Sequence, residues 1–198
     1  MTQQYLNTIA QYNRSKFNQM QLNGNNITLR AFKQQDAETL ATLLNNSRVV
    51  ANLRDYIPFP YTPKDAMDFI HLCQEENPRQ NFAIEHNKLF VGSIGLVKQV
   101  DVYRKSAEIG YWIGEPYWGK GIATEAAKLI TAYAFEQLEL VKVFSAVFDF
   151  NKASQRVLEK AGYKLEAIIE KAIYKNHKLG DECRYGCINP YWDKLIME

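Results

Sequence analysis

The chain has 198 residues, a length that suits one domain better than two. Hydrophobic residues make up 46% of it, enough to fill a core without metals or disulfides, and a net charge of +2 from scattered lysines and arginines gives no footprint for nucleic acid. No stretch approaches the ~18 apolar residues that a membrane span needs, and the first seven residues lack a cationic region followed by an apolar run, so neither a membrane nor a secretory route is expected. The cysteines Cys73, Cys183 and Cys187 have no framework spacing and read as free thiols in a reducing compartment, hence a cytoplasmic protein. No second Cys/His pair stands at zinc spacing, and no metal is expected.

In chain order, Tyr5, Ile9 and Tyr12 share one face of a helix, and Asn23-Gly-Asn-Asn26 then breaks the chain. Residues 1–26 read as an N-terminal extension, a helix packed on the domain or on a partner, with disorder as the other reading. Residues 27–198 form the single domain. Ile27–Phe32 alternates as a strand, and 36–48 carries Ala37, Leu40, Ala41 and Leu44 at helical spacing. Asn52–Pro60 is a loop. Thr62-Pro-Lys-Asp65 opens a helix, with Thr62 as cap, Pro63 at the first helical position and Asp65 reaching back to the cap amide. Asn81–Glu85 and Leu89–Val97 are two strands around a turn at His86-Asn-Lys88, and Ala107–Ile113 is a third. Gly114–Gly121 is a loop, followed by a long helix with Ala123, Ala126, Ala127, Ile130 and Ala134 inward. Val141–Phe148 is a central strand, and Asn151–Ala161 is a helix stopped by Gly162. Strand-like runs follow near Tyr163–Ile173 and Cys183–Ile188. Consecutive strands early and strand–helix alternation late predict an α/β (α+β) fold, a mixed sheet with helices on both faces.

The informative stretch is Ile109-Gly-Tyr-Trp-Ile-Gly-Glu-Pro-Tyr-Trp-Gly-Lys-Gly-Ile-Ala-Thr-Glu125. A strand feeds a loop with Gly119 and Gly121, and the loop feeds a helix. Glycines let backbone N–H groups approach a ligand, and the helix start adds unpaired N–H groups and partial positive charge. Together they make an anion site suited to a pyrophosphate. The spacing Gly114-xxxx-Gly119-Lys120 nearly matches an NTPase phosphate loop, but Gly121 stands where magnesium needs Ser or Thr, and Pro116 stiffens the interior. The dinucleotide fingerprint needs three glycines near the first strand; this loop comes late and has two. A plain helix-entry turn is the remaining structural reading.

Trp118-Gly-Lys-Gly-Ile-Ala123 resembles the cofactor loop of the GNAT acetyltransferases, Gln/Arg-x-x-Gly-x-Gly/Ala. The run from Ala107 through Ala126, and Asn151-Lys-Ala-Ser-Gln-Arg-Val-Leu-Glu-Lys-Ala-Gly-Tyr163, resemble the branch containing the ribosomal-protein N-terminal acetyltransferases. The resemblance covers roughly residues 27–188. It implies a GNAT-like, mostly antiparallel sheet of six to seven strands, with a cleft where the strand ending at Ile113 splays from Val141–Phe148. It implies acetyl-CoA as cofactor, its pantetheine lying along backbone groups of Tyr111 and Ile113. The pyrophosphate would sit on the N–H groups of Gly119, Lys120, Gly121, Ile122, Ala123 and Thr124. Trp118 stands where the wider superfamily has Gln or Arg, which removes a polar side-chain contact to the cofactor at that position.

Acetyl transfer needs a neutral amine, its nitrogen held near the thioester carbon, a donor for the carbonyl oxygen and stabilisation of the departing sulfur. Backbone N–H near Tyr111–Ile113 is the expected carbonyl donor. Glu108 shares a strand face with Gly110 and Trp112 and is the candidate base, directly or through water; a strand carboxylate paired with Lys or Arg is the other reading. Asn151 suits a helix cap, and the resemblance adds a cofactor contact there. Many members of the superfamily place a tyrosine acid further along this helix, where this chain has Leu158. The related branch points instead to Ser154, at the cofactor and facing the thioester sulfur. The resemblance also makes Asn52, Arg54 and Tyr56 the border of the acceptor cleft, with Tyr174 and Tyr185 at its mouth. His71, His86 and His177 read as surface residues.

These features predict an acetyl-CoA-dependent N-acetyltransferase, monomer or homodimer, that acts by direct attack in a ternary complex. The branch resemblance favours a protein N-terminus of the ribosomal-protein type as acceptor. A small amine and a noncatalytic acyl-CoA-binding module are the alternatives.

Overall fold

The computed structural model describes residues 20–195. The helix expected at Tyr5–Tyr12 lies outside them. Eight strands make one sheet: β1 (Leu22–Asn23), β2 (Ile27–Arg30), β3 (Asn81–His86), β4 (Leu89–Lys98), β5 (Ser106–Ile113), β6 (Lys142–Phe148), β7 (Lys164–Lys175) and β8 (Lys178–Ile188). Their order across the sheet is β1-β2-β3-β4-β5-β6-β8-β7. Every neighbouring pair is antiparallel except β5–β6, which is parallel. The count exceeds the expected six to seven. The two-residue β1 is too short to show a period, and β7 and β8 form one long hairpin.

Five helices cover the sheet: α1 (Ala37–Leu44), α2 (Ser47–Val50), α3 (Pro63–Glu75), α4 (Ile122–Glu136) and α5 (Lys152–Lys160). The single helix expected over 36–48 is two. Asn46 breaks it in extended conformation and caps α2, its side chain accepting from Arg48 N–H at 2.9 Å. The reciprocal cap of α3 forms as its residues predict: Asp65 N–H donates to Thr62 Oγ1 at 3.2 Å, and Thr62 N–H to Asp65 Oδ2 at 2.8 Å. Asn87–Lys88 and Asn176–His177 turn the two tight hairpins, all four residues at positive φ.

The sheet separates two cores. On one face β-strand residues such as Ile94, Ile109 and Val143 meet α4 and α5 through Ala126, Ala127, Ile130 and Leu158. The alanines bring α4 close to the strands. On the other face Phe32, Ala83 and Phe90 meet α1 and α3 through Leu40, Leu44, Ala66 and Ile70. Each large apolar side chain so buried stabilises the fold by about 1.5–3 kcal/mol. Arg30 is buried and holds Asp36 bidentately at 2.7 and 2.9 Å, tying β2 to the start of α1. Burial lowers the Arg30 pKa, but Asp36 and Glu85 outweigh it and hold it above its ordinary value. Among the described residues no helix is long and apolar enough to cross a membrane.

The tip of the β7–β8 hairpin reaches back to the loop between α2 and α3. Lys175 is buried there, and its Nζ donates to Leu53 O at 2.7 Å and to the Asp55 carboxylate. A buried ammonium with two acceptors is a strong tie, worth about 1.5 kcal/mol or more per charged hydrogen bond. Lys175→Ala is therefore expected to speed amide hydrogen exchange in residues 51–58 by about tenfold while leaving α4 unchanged. Unaltered exchange in that loop would show that the tie does not hold it.

Candidate active site

The β5–β6 ladder is short. It runs from Ser106↔Lys142 to Glu108↔Phe144 and stops, although both strands continue. The last link is Ser145 Oγ donating to Ile109 O at 3.2 Å. Beyond it the strands part.

The antiparallel register of β5 on β4 decides which backbone groups face the gap. Gly92 lies opposite Ile113, and Gly114 N–H donates to Val91 O at 2.9 Å. Alternation then turns the N–H and C=O of Glu108, Gly110 and Trp112 toward β4, and those of Ile109, Tyr111 and Ile113 toward the gap. Side chains divide by the same parity. Ile109, Tyr111 and Ile113 pack with α4 and α5, while Trp112 packs with the α1/α3 core.

Two cavities meet at the gap. One, of about 410 Å³, is lined by Tyr117 through Thr124 and by Arg156, Val157 and Lys160 of α5. The other, of about 400 Å³, runs past Arg54, Tyr56, Tyr61, Phe69 and Glu108 toward α1. Asn52, Leu53, Tyr111, Trp112, Asn151 and Ser154 line both. Both volumes fall in the range of small-molecule sites.

The first cavity is built for an anion. Gly119 and Gly121 have φ of +75° and +76°, a left-handed conformation that favours glycine, and a Cβ on either would meet nothing within 4 Å. Helix α4 starts at Gly121 with no side-chain cap. None of the backbone N–H groups from Gly119 to Thr124 makes a well-aligned hydrogen bond within the described residues, whereas Glu125 N–H donates to Gly121 O at 3.1 Å. Six N–H groups at a helix start, with Lys120, Arg156 and Lys160 on the walls, suit a diphosphate. Trp118 steadies the loop: its Nε1 donates to Ile113 O at 2.7 Å, and the Arg48 guanidinium lies 5.5 Å from its ring centroid. The indole thus bonds the strand end.

Asn151 caps α5, its Oδ1 accepting from Ser154 N–H at 3.1 Å. The Ser154 hydroxyl lies 2.8 Å from the Tyr111 hydroxyl. Burial pushes the Tyr111 phenol up to about 12 against the opposing pull of that hydrogen bond. Glu108 faces the second cavity and is ion-paired with Arg54, the pairing that the second reading of that carboxylate expects.

Of the residues the sequence marked, Tyr111, Ile113, Trp118 to Thr124, Asn151 and Ser154 come together in the first cavity, and Asn52, Arg54, Tyr56 and Glu108 in the second. Neither Tyr174 nor Tyr185 lines either cavity, and the burial of Tyr185 corrects its placement at the mouth. Tyr185 points into the α4/α5 core and its hydroxyl donates to Glu159 Oε1 at 3.0 Å; Tyr174 is exposed on the hairpin beside His177. Sequence reasoning missed Arg156 and Lys160, whose four-residue spacing on α5 was the available signal, and the Tyr111 side chain, since the resemblance implies a role for its backbone alone. Among the described residues no group of three or more His, Cys, Asp or Glu is placed to hold a metal.

Residues 26–164 match the acetyltransferase (GNAT) domain family. YdaF of Bacillus subtilis (strain 168), which bears the provisional name of a ribosomal N-acetyltransferase, is 31% identical over 173 residues, 84% of this chain and 93% of that protein. The crystal structure of a GNAT-family acetyltransferase from Bacillus anthracis superposes with a TM-score of 0.74 at 24% identity, covering 85% of this chain and 98% of that one. RimL, a ribosomal L7/L12 α-N-protein acetyltransferase in complex with coenzyme A, superposes with a TM-score of 0.74 at 19% identity, covering 85% and 98%. These two structures share the fold. With an uncapped glycine loop fit for a diphosphate at the head of α4 and a family match across most of the domain, the chain belongs to the GNAT acetyltransferases and is an acetyl-CoA-dependent N-acetyltransferase.

Proposed function

We propose that the chain acetylates the N-terminal amine of a protein, of the ribosomal-protein type, by direct attack in a ternary complex. The observation that carries this reading is the gap where two cavities meet, one fitted to an anion and the other holding Glu108. Bound acetyl-CoA supplies an activated acetyl thioester. The N–H groups of Gly119 to Thr124 hold its diphosphate, with Lys120, Arg156 and Lys160 adding positive charge. The gap-facing backbone of Tyr111 and Ile113 pairs with pantetheine as a strand would. Asn52, Arg54 and Tyr56 border the incoming amine. Glu108 takes the proton that the amine loses, directly or through water, while Arg54 stays protonated beside it. A backbone N–H near Tyr111–Ile113 donates to the carbonyl oxygen as charge develops there. Ser154 donates to the sulfur as it leaves.

Two features support a protein acceptor. YdaF, the 31% identical relative, carries a ribosomal name. The second cavity has Glu108 as its carboxylate, already matched by Arg54, and its outer rim is exposed Tyr56 and Val97. Such a site lacks the several acidic anchors a polycation calls for, and an exposed rim leaves room for the rest of a chain. Thiol release from acetyl-CoA across N-terminal peptides and small amines is the test. Release with peptides alone supports the reading. Release with small amines alone overturns the acceptor class, and background release with every acceptor, beside tight CoA binding, overturns catalysis.

Gly121→Glu is expected to weaken CoA binding by about a hundredfold or more in calorimetry, since it sets a carboxylate and a strained left-handed residue beside the diphosphate. Gly121→Ala, which enters open space, is expected to show only the cost of its backbone strain. Unchanged affinity in the glutamate variant would count against the loop. Glu108→Gln is expected to lower kcat by about a hundredfold with CoA affinity unaltered; full turnover would remove Glu108 as base.

A further inference from the structure

The Tyr111 side chain crosses the gap. Its hydroxyl lies 2.8 Å from Ser154 Oγ and 3.3 Å from Ser154 O; its one proton can go to either acceptor, the Oγ being nearer, and both contacts join β5 directly to the first turn of α5. That turn is held from its other side by the Asn151 cap. Both Tyr111 and Ser154 line the wall that the two cavities share. A serine hydroxyl is a rotor with one proton and two lone pairs. Where a neighbour donates to it, its own proton is left to point elsewhere, and the open direction here is the shared wall. The phenol is mostly buried and its pKa lies near 12, so it stays a donor throughout the range in which an amine is acetylated.

We propose that Tyr111 is a positioning residue: its phenol donates to Ser154 Oγ and so aims the Ser154 proton at the sulfur of the leaving group. This rests on the placement of Ser154 at that sulfur. The N–C bond forms as the C–S bond breaks, and the electron pair stays with sulfur. Glu108 takes the amine's proton. No proton leaves Ser154 or Tyr111; they stabilise the thiolate by a hydrogen-bond chain whose members polarise one another, and the thiolate is protonated by solvent on release.

The test separates this role from packing. Tyr111→Phe keeps the ring and removes the donor. Wild-type protein and the variants Tyr111→Phe, Ser154→Ala and the double are titrated calorimetrically with CoA and with desulfo-CoA at pH 7 and pH 9.5. A cysteine thiol titrates at about 8.5, and for a thiol of this kind the higher pH raises the share of thiolate, while the desulfo analogue cancels every other titration. Wild type is expected to prefer CoA more strongly at pH 9.5. Tyr111→Phe should lose about tenfold of that preference, with desulfo-CoA affinity unchanged, and kcat should fall by about tenfold at constant KM. Ser154→Ala should show a similar loss and the double variant little more, because the residues act as one chain. Retained preference in Tyr111→Phe beside a loss in Ser154→Ala overturns the positioning role and leaves Ser154 at the sulfur. Retained preference in both overturns the placement of Ser154 itself. Multiplying losses, or a parallel fall in desulfo-CoA affinity, would assign Tyr111 to packing.

Discussion

The site depends on a ladder that stops. β5 and β6 pair over three residues and then diverge, although β5 stays bonded to β4 and β6 to β8 along their lengths. The gap-facing backbone groups of β5 past Ile109 therefore lack the strand that would normally satisfy them. Unpaired backbone groups away from water are costly, and a ligand with amide groups of its own can take the missing strand's place. Ser145 closes one end of the gap through Ile109 O, and Trp118 closes the other through Ile113 O. Tyr111 lies between, where a strand-like ligand has most to offer.

Helix starts make the same point from another direction. α2, α3 and α5 are each capped by a side chain, from Asn46, Thr62 and Asn151. α4 begins at a glycine that caps nothing. A helix end left without partners is a cost unless something else supplies them. Here the N–H groups open into a cavity walled by Lys120, Arg156 and Lys160, so an anion is what offsets the cost. The second cavity is electrostatically quiet by contrast, its carboxylate matched by Arg54. Charge thus marks the cofactor side, and a single carboxylate already paired with Arg54 marks the other.

Much of this was legible in the chain. Alternation and helical spacing gave most elements, the Thr62-Pro-Lys-Asp65 cap formed as written, and the glycine loop with its motif led to the family. What stayed hidden was long-range or very local. Glu108 and Arg54 are 54 positions apart, and Lys175 and Asp55 are 120 apart; no spacing announces such pairs. β1 is too short for any period. The break between α1 and α2 falls at two asparagines that a helical pattern tolerates until one of them turns extended. Tyr185 was misplaced because the parity of β8 sends it into the core, and the sequence did not show which face of that strand was buried.

Parity also explains why β5 can serve three purposes in eight residues. Its even side chains, Glu108 and Trp112, face the second cavity and the α1/α3 core. Its odd side chains, Ile109, Tyr111 and Ile113, face α4 and α5, and the backbone of those odd residues faces the gap. The Glu108 carboxylate, the side chain that reaches Ser154 and the strand edge open to a ligand are thus set by one register. A slip of one residue would exchange them all: Glu108 would turn into an apolar core, the Tyr111 hydroxyl would leave Ser154, and the free backbone edge would move to Gly110 and Trp112. Gly92 of β4 fits this register: it lies opposite Ile113, where a Cβ would come within 2.2 Å of the Trp112 carbonyl oxygen. The chemistry at the gap is therefore secured by strand pairing several residues away from it, and the part of the sheet that looks purely structural fixes which atoms meet.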